Sequence, residues 1–247
     1  MKKFKEFISR PVVIGLLFVM AAGLLLGTGI EGTQAVLNEQ SSPFHATMEV
    51  SSIDVELVEN DERVAWNGYN SGDKNKNGSL KLHHVNEEKK LKLGYKYPEV
   101  LKVRNTGSVP QFVRVTITKY WTEKGADGKR VDLDPSYIVL DGVGAGWQKD
   151  ENASTAEREV YYYNPVLGGE LDPENTKSTT TNNLTETIRI DPAVMNHKVN
   201  TKYDYDDLEF HLDARVDAVQ NRHIEEAAKN AWGVNVSGNE ESMTLVK

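Results

Sequence analysis

The chain has 247 residues, with 29 Lys and Arg against 37 Asp and Glu, a formal charge of -8, and no cysteine. The length suits one sizeable core or two small ones. Without thiols there is no Cys-ligated zinc, iron–sulfur cluster, thiol catalysis or disulfide stapling, and the acidic balance argues against nucleic-acid binding, which needs clustered Lys and Arg.

Residues 1–35 read as an export signal. Lys2, Lys3, Lys5 and Arg10 stand against Glu6, Val12 to Leu26 is apolar, and Thr33 and Ala35 are the small residues before a cut after Ala35. That is the basic, apolar and small-residue order of a secretory signal peptide. The competing reading is an uncleaved anchor. Val12 to Ile30 gives it 19 residues, but four of them are glycine. Cleavage removes four positive and two negative charges, leaving 212 residues with net charge -10. Without disulfides, the exported chain relies on its core or on assembly for stability.

Residues 36–50 form the next segment. Phe44, Ala46, Met48 and Val50 alternate on even numbers, whereas Ile53, Val55 and Leu57 alternate on odd numbers. A one-residue slip moves every side chain to the other face, so Ser51-Ser52 marks a bulge or a break. Two readings stay open. One is an ordinary first strand with a bulge. The other is a separable arm that adds a strand to the open edge of a neighbouring molecule. In the second reading the strand-exchange residues are Val36, Leu37, Phe44, Ala46, Met48 and Val50.

Residues 51–236 read as β-structure. Leu208, Phe210, Leu212, Ala214, Val216 and Ala218 share one face of 208–218, with charged residues opposite. Val113, Val115, Ile117 and Trp121 do the same in 112–121. Leu91, Leu93, Tyr95, Tyr97, Leu101 and Val103 share a parity interrupted near Pro98. Ile53–Leu57, Tyr137–Leu140, Glu159–Tyr163 and Glu186–Ile190 are shorter candidates. Strict alternation marks strands with one face on a core and one in water. The polar loops at 67–79, 124–130, 148–156 and 172–183 separate them, which predicts an all-β, jelly-roll-like β-sandwich. One helix is expected near the end, on the stripe Ile224, Ala227, Ala228, Ala231 and Trp232. Asn221 would cap it, Gly233 would stop it, and Trp232 would pack it on the sandwich. Residues 237–247 read as a flexible tail.

Sites for chemistry are sparse. No two histidines are spaced for a His-Glu-x-x-His zinc motif, and His83 and His84 would point to opposite faces of a strand. His211 and Asp213 share a face, which a solvated polar surface explains. Asp73, Asn75 and Asn77 match the opening of a calcium loop, but His84 stands where the bidentate Glu belongs and Lys81 occupies another ligand position. They form a weak calcium candidate within a polar turn. Gly142 to Gly146 lacks the strand–turn–helix setting of a dinucleotide loop. Tyr161, Tyr162 and Tyr163 read as strand aromatics, one or two of them buried. No catalytic residue, metal or cofactor is expected.

Several segments, taken in order, resemble one family. They are the Gly-rich signal end from Gly27 to Ala35, Phe44 to Val50 (FHATMEV) leading into Ile53 to Leu57, and the Leu93-Gly94 turn. Next come Val103 to Val115 (VRNTGSVPQFVRV), Tyr161 to Asn164 (YYYN), Ala214 to Gln220 (ARVDAVQ) and Ala231 to Val234 (AWGV). Together these are similar to the TasA/camelysin (CalY) family of Gram-positive exported proteins. The family usually has Pro-Gly where this chain has Leu93-Gly94. The resemblance implies a jelly-roll sandwich, processing by a SipW-like signal peptidase, and a place on the cell surface or in the biofilm matrix. It also implies self-association into fibres, in which about Val36–Val50 enters the next subunit, and contact with matrix or cell-wall components. Camelysin is described as a surface metalloprotease, an activity not carried over to a chain without a zinc motif.

Three functions are therefore carried forward. A self-assembling structural protein comes first, a monomeric surface binding module or adhesin second, and a secreted metalloprotease third.

Overall fold

The computed structural model describes residues 11, 14–16, 18–22, 51–68, 76–87, 91–169, 177–196, 198–199, 202–203, 205 and 207–246. The chain divides into two compact units, residues 1–49 and 50–247. In the first unit the described residues are helical, with Ile14, Leu16, Phe18, Val19 and Met20 exposed. Among the described residues no helix is long and apolar enough to cross a membrane.

The second unit is an antiparallel β-sandwich. One sheet contains β1 (Asp54–Glu59), β2 (Glu62–Gly68), β4 (Tyr97–Asn105), β7 (Ile138–Asp141) and β10 (Thr185–Ile190), in the order β2-β1-β4-β10-β7. The other contains β3 (Gly78–Ser79), β5 (Gln111–Glu123), β8 (Trp147–Lys149), β9 (Arg158–Tyr163) and β13 (Leu208–Gln220), in the order β3-β13-β5-β9-β8, with β6 (Lys129–Arg130) on β5. From β4 the longer strands alternate between sheets, the crossing pattern of a jelly roll. Two small hairpins, β11–β12 (Lys198–Val199 and Lys202–Tyr203) and β14–β15 (Val236–Gly238 and Met243–Leu245), complete the strands.

The alternating residues meet between the sheets. Leu57, Leu101, Val103, Ile138 and Ile188 from one sheet pack against Val115, Ile117, Tyr161, Leu212 and Val216 from the other. Burial of this apolar area is the main force closing the sandwich. A second apolar cluster lies on the outer face of the second sheet. Phe112, Val160, Tyr162 and Val219 are covered there by Ile224 and Ala228 of the C-terminal helix and by Val236 and Met243. All three tyrosines of β9 are therefore buried, Tyr161 and Tyr163 in the main core and Tyr162 in the outer cluster.

Several sequence expectations need correction. Leu91, Leu93 and Tyr95 are exposed, and the strand begins at Tyr97. Pro98, which has no N–H to give, sits inside that strand where its register against β10 shifts. His83 and His84 lie on a single helical turn, α1 (His83–Asn86), rather than in a strand. The helix α2 (Ile224–Trp232) is capped at His223 in the left-handed region, and Asn221 instead donates to Glu240 O. Its Gly233 stop holds, with φ +73°, and Trp232 packs 5.3 Å from the Tyr162 ring.

The flexible tail expected at 237–247 is overturned for residues up to 246. Val236–Gly238 pairs with Met243–Leu245, and Met243 is buried because the outer cluster needs its side chain as a cover. β2 was hidden within a polar stretch: Val64 is the extra residue of a bulge in β2 against Leu57 and Val58, and Val64 and Ala65 are both buried, so no alternation is visible there.

Candidate assembly site

Two features bear on a strand-exchange role: the place where the chain joins the sandwich and an unpaired sheet edge. The junction is built by Asn105 to Gln111, the corner between β4 and β5. Ser52 N donates to Ser108 Oγ at 2.7 Å, and Ser108 N donates to Ser52 O at 3.1 Å. Asp54 O accepts from Thr106 N at 3.0 Å and from the Gln111 carboxamide at 2.7 Å. Asn105 shapes the corner, since its carboxamide donates to Val109 O and Gly168 O and accepts from Gly107 N. Gly107 is required by contact. A Cβ there would lie 2.5 Å from Ser52 O and 2.6 Å from Asp54 N. These bonds clamp residues 52–54, the root of the segment 36–50.

Among the described residues β7 ends one sheet and the three-residue β8 ends the other, and β7 is the longer of these two edges. On the other side of the sandwich the Trp66–Lys76 bridge links the β2 and β3 ends. Among the described residues β7 pairs only with β10. Asp191 N donates to Tyr137 O, so by antiparallel alternation Tyr137, Val139 and Asp141 aim their backbone groups at β10. Ile138 and Leu140 then aim theirs at the open side.

Ile138 is already partnered. Its N–H donates to Pro135 O, and its carbonyl accepts from Lys119 Nζ at 2.7 Å. Lys119 comes from the inner face of β5 and is itself buried. Its ammonium also meets Glu159 at 3.0 Å, where Lys149 at 3.3 Å and the Tyr161 hydroxyl at 3.0 Å converge. Burial pushes the Glu159 carboxyl up, but the two ammoniums and the Tyr161 hydroxyl outweigh it and hold the group below the ordinary value. Burial, and then the Glu159 charge, push the Tyr161 phenol up. An inward-pointing charge on an edge carbonyl is one of the ways proteins limit uncontrolled strand pairing.

Of the residues expected to act, Thr33, Ala35, Val36, Leu37, Phe44, Ala46, Met48 and Val50 lie outside the described residues, as do Asp73 and Asn75. Asn77 is exposed next to β3. His211 stays on the outer face, 3.0 Å from Thr122 Oγ1, and Asp213 accepts from Ser79 Oγ. Among the described residues no three His, Asp or Glu side chains are grouped to hold a metal. The sequence marked Ser51-Ser52 as a bulge or break and Val103 to Val115 as a segment of the resemblance, with no clamping role for either. Lys119 did leave a trace, as a lysine within the apolar parity of β5.

No protein-family model, curated protein or solved structure matches this chain.

Proposed function

We propose that the chain is an exported structural protein of the cell surface or biofilm matrix. A SipW-like signal peptidase removes residues 1–35, and residues 36–50 of one molecule add a strand to the β7 edge of the next, building fibres. The observation that carries this reading is the pairing of a clamped root at Ser52–Asp54 with a sheet edge where Leu140 aims its backbone groups away from β10, toward no partner among the described residues. Backbone hydrogen bonds would supply affinity. The alternate side chains Phe44, Ala46 and Met48 would supply register. Matrix or cell-wall components are the further partners, and no catalytic residue is assigned.

A second reading, a monomeric binding module or adhesin, is favoured by one observation. A cavity of about 240 Å³ lies where β9 gives way to β6 along β5, lined by Tyr120, Lys129, Arg130 and Glu157 among others.

The discriminating experiment compares chains 36–247 and 51–247. The shorter chain is expected to fold and stay monomeric while the longer one polymerises. Equal fibre formation by both would end the arm hypothesis.

A further inference from the structure

Two glutamates sit where the alternation of their strands demands apolar residues. Glu59 follows Val55 and Leu57 on the inner face of β1, and Glu99 lies between Tyr97 and Leu101 on the inner face of β4. Glu59 is 1% exposed and Glu99 is 0% exposed. The strands are adjacent, with Glu59 opposite Leu101, which brings the two carboxyl groups into each other's field. Two carboxylates in that position would repel each other in a medium that solvates neither, so one proton must stay with the pair.

The position of that proton follows from the remaining donors. Both Glu59 oxygens accept backbone N–H groups, Oε2 from Lys81 at 2.8 Å and Oε1 from Leu82 at 2.7 Å. Among the described residues Glu99 accepts only the Asn60 carboxamide, on Oε2 at 3.3 Å, and its Oε1 accepts no N–H donor. The proton therefore resides on the Glu99 side. Burial, and then the neighbouring Glu59, push Glu99 up to about 9.

The amides that Glu59 holds belong to a strap. Gly78–Ser79 pairs with Ala214 and Asp213 of β13, and Leu80 N donates to Leu212 O. The strap then crosses to the first sheet, where it is fastened by Glu59. Leu82 is held in the left-handed region at φ +48°, with its side chain buried in the core beside Val85. A leucine does not keep that conformation unless its surroundings impose it.

The other charged groups around the pair are engaged elsewhere. The Lys81 ammonium turns out to Glu62, with His83 3.7 Å from the same carboxylate. His84 faces Glu87, and Asp61 on the β1–β2 turn faces Lys102. On β4 the Tyr97 hydroxyl accepts from Lys92 N. The second sheet presents Leu212 and Ala214 on its inner face where the strap pairs with it.

We infer that Glu59 and Glu99 form a buried proton-binding site whose single proton latches the 80–87 strap across the end of the sandwich. With the proton bound, Glu59 is a fixed acceptor for Lys81 N and Leu82 N. When it is lost, two negative charges share a dry site, and the strap must open to admit water. The latch is independent of fibre formation.

The full chain tests this by NMR between pH 5.5 and 10. One glutamate carboxyl should remain protonated at pH 7 and titrate near pH 9. The protection of the Lys81 and Leu82 amides should fall by up to about tenfold per pH unit between about pH 5.5 and 9, where only the closed strap keeps the proton, and level off above 9, the signature of one proton. Glu99→Gln, neutral at every pH, should abolish that fall and leave the Leu212-bonded amide of Leu80 unchanged. If every carboxyl titrates below pH 6, or the fall persists in Glu99→Gln, the inference is overturned. The wild-type carboxyl titration decides the matter if the variant does not fold.

Discussion

Lys119 Nζ lies 2.7 Å from the carbonyl oxygen of Ile138, so a buried ammonium from one sheet caps the free edge of the other. The same ammonium is the partner of Glu159, which ties the state of the edge to a buried ion pair. Removing one member of such a pair leaves an uncompensated charge, at a typical cost of about 3–5 kcal/mol. Lys149 stays near Glu159, so Lys119→Met should fall at the lower end, about 3 kcal/mol, read from urea unfolding. The double variant Lys119→Met with Glu159→Gln should lose less than the single one. A single-variant loss below about 1 kcal/mol would show that the pair is not desolvated.

Gly107→Ala should loosen the arm root without touching the core. The added methyl meets Ser52 O and Asp54 N, both backbone atoms that cannot swing aside. A cost of about 1–3 kcal/mol is expected for overpacking of this kind. Hydrogen exchange should locate the loss at Ser52, Thr106 and Ser108. Unchanged exchange there would contradict the clamp.

The C-terminal hairpin should prove structural. Met243 seals the outer cluster over Phe112 and Tyr162, so Met243→Ala should cost about 2–3 kcal/mol in a thermal or urea melt. A neutral result would restore residues 237–247 as a loose tail.

Stability should vary with pH on two limbs. Glu159 is held below its ordinary value of 4.5 in the fold, so its contribution is present above about pH 4.5 and lost as pH falls through its folded value. Glu99 is raised, so the fold binds a proton that the unfolded chain has released. Stability therefore declines as pH rises from about 4.5 to about 9, by at most about 1.4 kcal/mol per pH unit. Urea midpoints across pH 3–10 should peak near pH 5, and Glu99→Gln should flatten the upper limb.

Much of the fold was legible because its strands are half-buried. Leu208–Gln220 and Gln111–Glu123 have one face on the core, and alternation exposes that directly. The strands that escaped notice are those where both faces are covered or a bulge breaks the period, as at Val64 and Ala65. The C-terminal hairpin escaped because its burial depends on a cluster assembled from distant residues. Glu59, Glu99 and Lys119 were visible only as charges in apolar parities. Their partners, the amides of Lys81 and Leu82 and the carbonyl of Ile138, are backbone groups that carry no sequence signal. The corner Asn105 to Gln111 carried its role in the same way, through contacts to Ser52 and Asp54 more than fifty residues away.

The central claim is assembly through residues 36–50, and the most direct measurement is the size of chain 36–247 against time by light scattering, with electron microscopy of the end point. Steady growth into regular filaments is the predicted result. A monomer that persists at every salt, pH and calcium concentration would contradict the account and turn attention to the cavity beside Tyr120 and Arg130.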